Sequence, residues 1–550
     1  MKKLYLIFVA FAALTVTSCL KQLDTKPLND YDSTSEAAYV DKDSYLKGLA
    51  YVNAYYNFVS QNDPGTSDLS FDDAGQSELL RQWFVLNDLP TDALDIGNWS
   101  DSYIPDINNH TWTNADNNAL IAVYTRSLKG IALANEFLLQ TTDDRLESRG
   151  HMDFADEVHQ YRAEARFHRA MFYYILMDCF GNPPFPLEEN IGGDLPKQIG
   201  RKALAEWIES ELTDLVADGS DMPKKGEVGY PRPTQDAAWS LLARLYLNWE
   251  VYTGQARWED AKTAASKVIG NGYTLHPDYR ELFLQDNGQK CANDEFIFAI
   301  EYDTNRCRSW GGTTTLSSGA FNDPMNEVVS KYLGVTSVSY VSAETWNGYH
   351  INPDFVAQNF ELSAVSFTHD GSELGYNPAR SDKRLMLYNQ GKRGFETGDA
   401  SNYSNVNSDT GWHCWKWAKI DSEGNVVPRG GDENPAWKFS SADLAIFRLP
   451  EMYYIYAEAD ARLNGGTTTD ANALSYITAL RNRAGLTPPN GSMTVEYILK
   501  DKAAEYLWEG QRRQDEIRMG IFDDDVNRYI YPILESDRSA NPNLEQNPGY

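Results

Sequence analysis

Two kinds of side chain in this sequence are placed to do chemistry. Carboxylates come first. Glu505 and Glu509 stand one helical turn apart, and two carboxyl groups flanking a glycosidic bond are what its hydrolysis requires. Arg512 and Arg513 follow closely, so the four read as an ion-pair network before they read as an acid and a base. Tryptophans come second. Of the 14, Trp207, Trp239, Trp249, Trp258 and Trp508 lie in segments with helical period and read as core. The other nine (Trp83, Trp99, Trp112, Trp310, Trp346, Trp412, Trp415, Trp417, Trp437) lie in stretches without it. Such rings either cover loops or stand out to bind, and nine together argue that some bind. No G-x-S-x-G, H-E-x-x-H, Walker or dinucleotide glycine pattern occurs. The eight His are scattered, and His168, on a packed helical face, reads as a satisfied core residue.

Composition narrows the partners. Hydrophobic content of 42% and charged content of 23% describe a globular chain. The formal charge of −30 repels nucleic acid and anionic headgroups, so neither is expected as a partner. The same field disfavours a heavily sulfated or uronate-rich ligand unless a basic patch offsets it.

The chain opens with Lys2 and Lys3, then an apolar run over 4–16. That run is too short for a bilayer-spanning helix, which takes about 20 residues, and it reads as a signal peptide over 1–18. Val16, Thr17, Ser18 and Cys19 resemble a lipobox, which makes Cys19 the lipidation site and 19–40 a lipidated tether. Ordinary cleavage near Ser18 is the alternative. One acyl chain anchors only marginally, so a stable anchor needs more than one. Four cysteines remain. Cys179 reads as a buried thiol, while Cys291 and Cys307 are close enough in sequence to pair. No Cys/His spacing suggests zinc, so no metal site or cofactor is assigned. Loop Asp and Asn residues are plentiful enough for calcium, but no twelve-residue calcium loop is present.

The elements that must position these residues are mostly helices. The stretch 157–180 organises them. Tyr161, Ala165, His168, Phe172, Ile175 and Cys179 fall on one line and Ala163, Phe167, Ala170, Tyr174 and Met177 on the next, so this helix is apolar over a wide arc and needs other helices to cover it. Gly181 closes it, and Pro183, Pro184 and Pro186 forbid its continuation. Helices are also expected over 45–58, 119–139, 196–214, 235–247, 258–269, 447–459, 471–484 and 495–519, with Thr234 capping the fourth of these. The Ala-rich pair 232–269 resembles a tetratricopeptide unit with a degenerate period. By contrast, 62–118 reads as irregular, and 275–444 as loops with one short buried strand at 295–301. The cluster Trp412, Trp415 and Trp417 reads as a strand with one buried face, or else as a second binding surface. The mature chain is read as one unit over 41–550, with a helical part (41–274), a loop-rich part (275–445) and a second helical part (446–550).

Several stretches together resemble the SusD/RagB family. They are the Arg162-Ala-Glu-Ala-x-Phe-x-Arg-Ala helix followed by Phe180-Gly181, the lipobox with Leu23 to Pro27, the Arg232-Pro-x-x-x-Ala-Ala unit, Leu449-Pro-Glu-Met-Tyr, and Trp508-Glu-Gly-Gln-Arg-Arg. The resemblance spans nearly the whole mature chain. It implies a mostly α fold in which tetratricopeptide-like helix pairs carry the ligand loops. It also implies a surface-exposed, non-catalytic lipoprotein of the cell outer membrane that captures oligo- or polysaccharide for a SusC-like TonB-dependent transporter. Mapped by that resemblance, the ligand-binding residues are Trp99 with Asp101 and Tyr103, then Trp310, then Trp346 with Tyr349. A secreted glycoside hydrolase or lyase on a helical toroid is the rival reading, and a pure interaction scaffold is a third.

Overall fold

A computed structural model describes residues 38–550, except 62–63, 98, 100, 114–116, 192, 293, 322–324, 327–328, 331–341, 343, 362–381, 391–410 and 427–434. The signal peptide, Cys19 and nearly all of the tether lie outside the described residues.

The longest helices of the first part are α1 (Lys42–Ala54), α2 (Leu79–Asp88), α3 (Asn118–Gln140), α4 (Ala155–Phe180), α5 (Arg201–Leu215), α6 (Gln235–Leu247) and α7 (Trp258–Ile269). The expected organising helix is α4, and every residue from 167 to 180 is buried. Its apolar arc is covered by α1, α3 and α5. Close approach depends on small residues: a β-carbon at Gly130 of α3 would come 2.6 Å from the Phe172 ring. The polar residues of α4 are matched across these contacts. Arg166 reaches Glu211 of α5 with two bonds of 3.0 and 3.1 Å, and Arg169 meets Asn135 of α3 at 2.9 Å. Cys179 is a buried thiol, as expected. His168 is a core residue, bonded to the Tyr56 hydroxyl at 3.3 Å and pushed down to about 3 by burial. Gly181, at φ +68, ends the helix.

The second part holds the short helix α8 (Gly312–Ser318), and the third holds α9 (Leu449–Leu463), α10 (Ala471–Ala484), α11 (Val495–Tyr506) and α12 (Arg512–Met519). Helix α7 packs on both α6 and α9, so helix pairs from the two ends of the chain stack side by side. Pro450 sits in the first turn of α9, where its missing N–H costs nothing.

Three expectations need correction. The stretch 62–118 contains a complete helix, α2, on which Trp83 sits. All ten of its residues are buried, so no polar stripe marks its period. Thr234 occupies the cap position of α6, but its side chain makes no capping bond. The expected helix 495–519 is two helices, broken where Trp508 (φ +70) and Gly510 (φ +71) take left-handed conformations. The question left open for Cys291 and Cys307 is answered: both are free thiols, the first buried and the second exposed.

The expected buried strand is β2 (Phe296–Ile300), paired antiparallel with β6 (Leu444–Arg448). A second sheet was not foreseen. It comprises β1 (Leu94–Ile96), β3 (Tyr349–Ile351), β4 (Leu387–Gln390) and β5 (Gly411–Cys414), in the order β1-β3-β5-β4. Trp412, Trp415 and Trp417 are all buried around it, so they form core and not a second surface. A buried ion-pair network joins the end of β6 and the segment after β5 to Glu505 and Glu509. Arg448 meets Glu505 at 2.6 Å and Glu509 at 2.8 Å, Arg483 meets Glu505 at 2.6 Å, and Lys416 meets Glu509 at 2.6 Å. The structural reading of the Glu505–Glu509 pair therefore holds with different partners, since Arg512 pairs with Asp92 and Arg513 with Asp178.

Candidate functional site

Strand pairing brings the site together. Ile96 stands opposite Tyr349 in the β1–β3 pair, and the Gly97 amide donates to the Gly348 carbonyl at 2.8 Å. The segment leaving β1 carries Trp99 and the segment entering β3 carries Trp346, so the two emerge side by side. The third ring arrives on α8. Trp310 lies just before that helix, and the carbonyl of Ser318 at its far end accepts the Trp346 amide at 2.9 Å.

Trp99, Trp310 and Trp346 are each partly exposed and form one contiguous group. The Trp99 and Trp346 rings are 5.9 Å apart and nearly perpendicular, at 87°. Those of Trp346 and Trp310 are 6.2 Å apart at 44°. The rings therefore line an arc and do not share a plane. Arg81 of α2 is the keystone beneath it. Its guanidinium lies 5.3 Å from the Trp99 ring and 5.7 Å from the Trp346 ring, within cation–π range of both. Nη1 donates to the Trp310 carbonyl and to Asp73, each at 3.3 Å, while Nε has no hydrogen-bond partner among the described residues.

The other expected residues support the arc from behind. Tyr349 is buried and stacks under Trp99 at 4.7 Å. Tyr103 is buried too, and its hydroxyl accepts from Gln82 at 3.1 Å. Asp101 is half-buried and accepts the Trp99 indole N–H, with Gln76 donating to the same oxygen at 2.9 Å. It fixes the ring's orientation. Two glycines make room: a β-carbon at Gly348 would overlap the Trp99 ring, and one at Gly75 would stand 2.7 Å from Trp310 Cβ.

A model of the SusD family matches residues 249–530, and one described as starch-binding, associating with outer membrane, matches residues 72–247. The starch-binding protein SusD of Bacteroides thetaiotaomicron is 30% identical over 98% of this chain and 97% of its own. The chain belongs to the SusD family. A SusD-like protein of Formosa agariphila, P2, is 23% identical and aligns with 84% of this chain and 86% of its own. Among solved structures, a SusD homologue from Bacteroides thetaiotaomicron superposes with a TM-score of 0.68 at 18% identity, covering 94% of this chain and 98% of that one. A laminarin-binding SusD-like protein does so at 0.65 and 19%, covering 93% and 100%. These likenesses show a common fold.

This SusD-family member also has a separate cavity of about 440 Å³, lined by Tyr230, Glu301, Tyr302, Asp303, Asp421 and Asp443 among others. Among the described residues, no three His, Cys, Asp or Glu side chains converge as a metal site would require. Sequence reasoning missed Arg81, because a cation on a wholly buried helix breaks the usual pattern. It also missed Gly75 and Gly348. A glycine two positions after Trp346 was the available signal for close approach of a ring.

Proposed function

We propose that the protein is a non-catalytic, surface-exposed lipoprotein, held in the outer membrane through Cys19. It captures a curved, starch-like α-glucan on Trp99, Trp346 and Trp310 and passes it to a SusC-like TonB-dependent transporter. The single observation behind the ligand class is the arc. Sugar rings present flat C–H faces to aromatic side chains. Three indoles set at 87° and 44° to one another suit a chain whose successive sugars turn, and a flat ribbon would meet only one of them squarely. The starch-binding relative supports the same choice. Two or three stacked rings at about 0.5–1.5 kcal/mol each, with a few hydrogen bonds, give about 4–8 kcal/mol in all, or millimolar to micromolar affinity. That suits a protein that must release its cargo.

Affinity electrophoresis tests this reading. Amylopectin in the gel should retard the protein strongly and a β-1,4-linked glucan should not, with no reducing ends released from either. Retardation by the flat glucan alone sinks the curvature argument, and new reducing ends favour the hydrolase. Replacing Cys19 with Ala should move the protein out of the membrane fraction; retention there would refute the anchor.

A further inference from the structure

Glu78 is fully buried at the start of α2, yet its carboxylate caps none of that helix's own N–H groups. It turns instead toward the segment that carries Trp310. One oxygen accepts the Tyr302 hydroxyl at 2.6 Å and the other accepts the Ser309 hydroxyl. The Gly311 amide in turn donates to Ser309 Oγ at 2.9 Å. Gly311 is packed so tightly on the carboxylate that a β-carbon there would overlap it, and one at Gly312 would overlap the Tyr302 hydroxyl. Both neighbours of Trp310 in the chain, Ser309 and Gly311, therefore hang on this one side chain. Because α8 begins at Gly312 and its far end holds the Trp346 amide, the same knot sets where the second ring stands.

We propose that Glu78 is the positioning residue of the ring arc: through Tyr302 and Ser309 it fixes the tilt of Trp310 against Trp346, and taking up a proton loosens that knot. The inference rests on the glycan-binding reading for its consequence, but not for its effect on Trp310. As a carboxylate, Glu78 accepts from both hydroxyls at once. Once protonated, it must donate to one of them, and that hydroxyl then needs a new acceptor for its own proton. No Lys or Arg lies within ion-pair distance of Glu78 among the described residues. Arg81 from its own helix and Arg126 from α3 face it from further away, and Tyr302 and Ser309 face it from the loop. Burial lifts it to about 7, against the opposing pull of those donors and cations, so the change falls in the neutral range. Asp443, whose carboxylate accepts the Tyr302 amide at 3.0 Å, is also lifted to about 7 by burial and is a competing source of a titration.

The test uses ligand-free tryptophan fluorescence between pH 5.5 and 8.5, followed by maltoheptaose titration over the same range. Wild-type protein should show a fluorescence transition near neutrality that disappears in Trp310→Phe and in Glu78→Gln. Its affinity for maltoheptaose should rise about threefold with pH, while Glu78→Gln stays flat at the low-pH value. Ser309→Ala keeps the carboxylate but removes a donor, so its transition should move to higher pH; it serves equally if Glu78→Gln folds poorly. A transition that survives Glu78→Gln belongs to another group and overturns the proposal, as does an unshifted transition in Ser309→Ala. A protein that binds no maltoheptaose but keeps the Glu78-dependent transition sinks the glycan reading alone and leaves the positioning of Trp310 by Glu78 supported.

Discussion

Trp99 lies flat against Gly348, in a space that any larger residue would occupy. The ring is held from the other directions by Tyr349 beneath it and by Asp101 at its indole N–H. Gly348→Ala should therefore displace the ring more than it disturbs the fold. Overpacking of this kind costs about 1–3 kcal/mol, so the variant should remain folded while its maltoheptaose affinity falls at least about tenfold, the equivalent of 1.4 kcal/mol. Calorimetric titration beside a far-UV spectrum decides it; unchanged affinity would mean that Trp99 does not need this seat.

Stability should depend on pH in a direction set by buried carboxyls. Burial raises Glu78 from 4.5 and Asp88 and Asp443 from 3.8, each to about 7. Each holds its proton more tightly folded than unfolded. Its contribution is therefore full below the unfolded value and is lost as pH rises through the folded one. Glu505 runs the other way: burial pushes it up, but Arg483, Arg448 and Arg384 outweigh burial and hold it down to about 2. Its contribution is full above 4.5 and is lost as pH falls through 2. Urea midpoints should thus decline from about pH 5 to about pH 7. A midpoint that climbs across that interval contradicts these assignments.

The Arg448 network ties β6 to α11 and to the turn that follows it. Its charges are nearly inaccessible to water, so removing one partner strands the others. Arg448→Ala should cost about 3–5 kcal/mol, read as a lowered denaturation midpoint. A loss below about 1 kcal/mol would place the pair in the weak class of exposed salt bridges.

The helical frame was legible because its signal is periodic. In α4, α7 and α10 the apolar residues recur at helical spacing, and glycines mark the ends of each. Helix α2 was not legible, since burial on every side removes the polar face that reveals a period. The break between α11 and α12 was hidden for another reason: Trp508 adopts a left-handed conformation that its residue type does not advertise. At the candidate site, the family resemblance pointed to Trp99, Trp310 and Trp346, which the structure brings together, but their mutual angles could not be read in advance. Those angles depend on the register of β1 against β3, two three-residue strands separated by more than 250 positions, and so short a pairing leaves no pattern in the sequence. Tyr103 and Tyr349, also expected at the ligand, are buried behind the rings, because a tyrosine beside an exposed tryptophan reads the same whether it faces water or core.

The central claim is that three tryptophans from distant parts of the chain act as one surface for a curved glucan. Calorimetric titration of maltoheptaose into wild-type protein and into the Trp99→Ala, Trp310→Ala, Trp346→Ala triple variant tests it most directly. Wild-type protein should bind with a dissociation constant between millimolar and micromolar, and the triple variant, folded by its far-UV spectrum, should give no binding heat. Equal affinity in the two proteins would contradict the account.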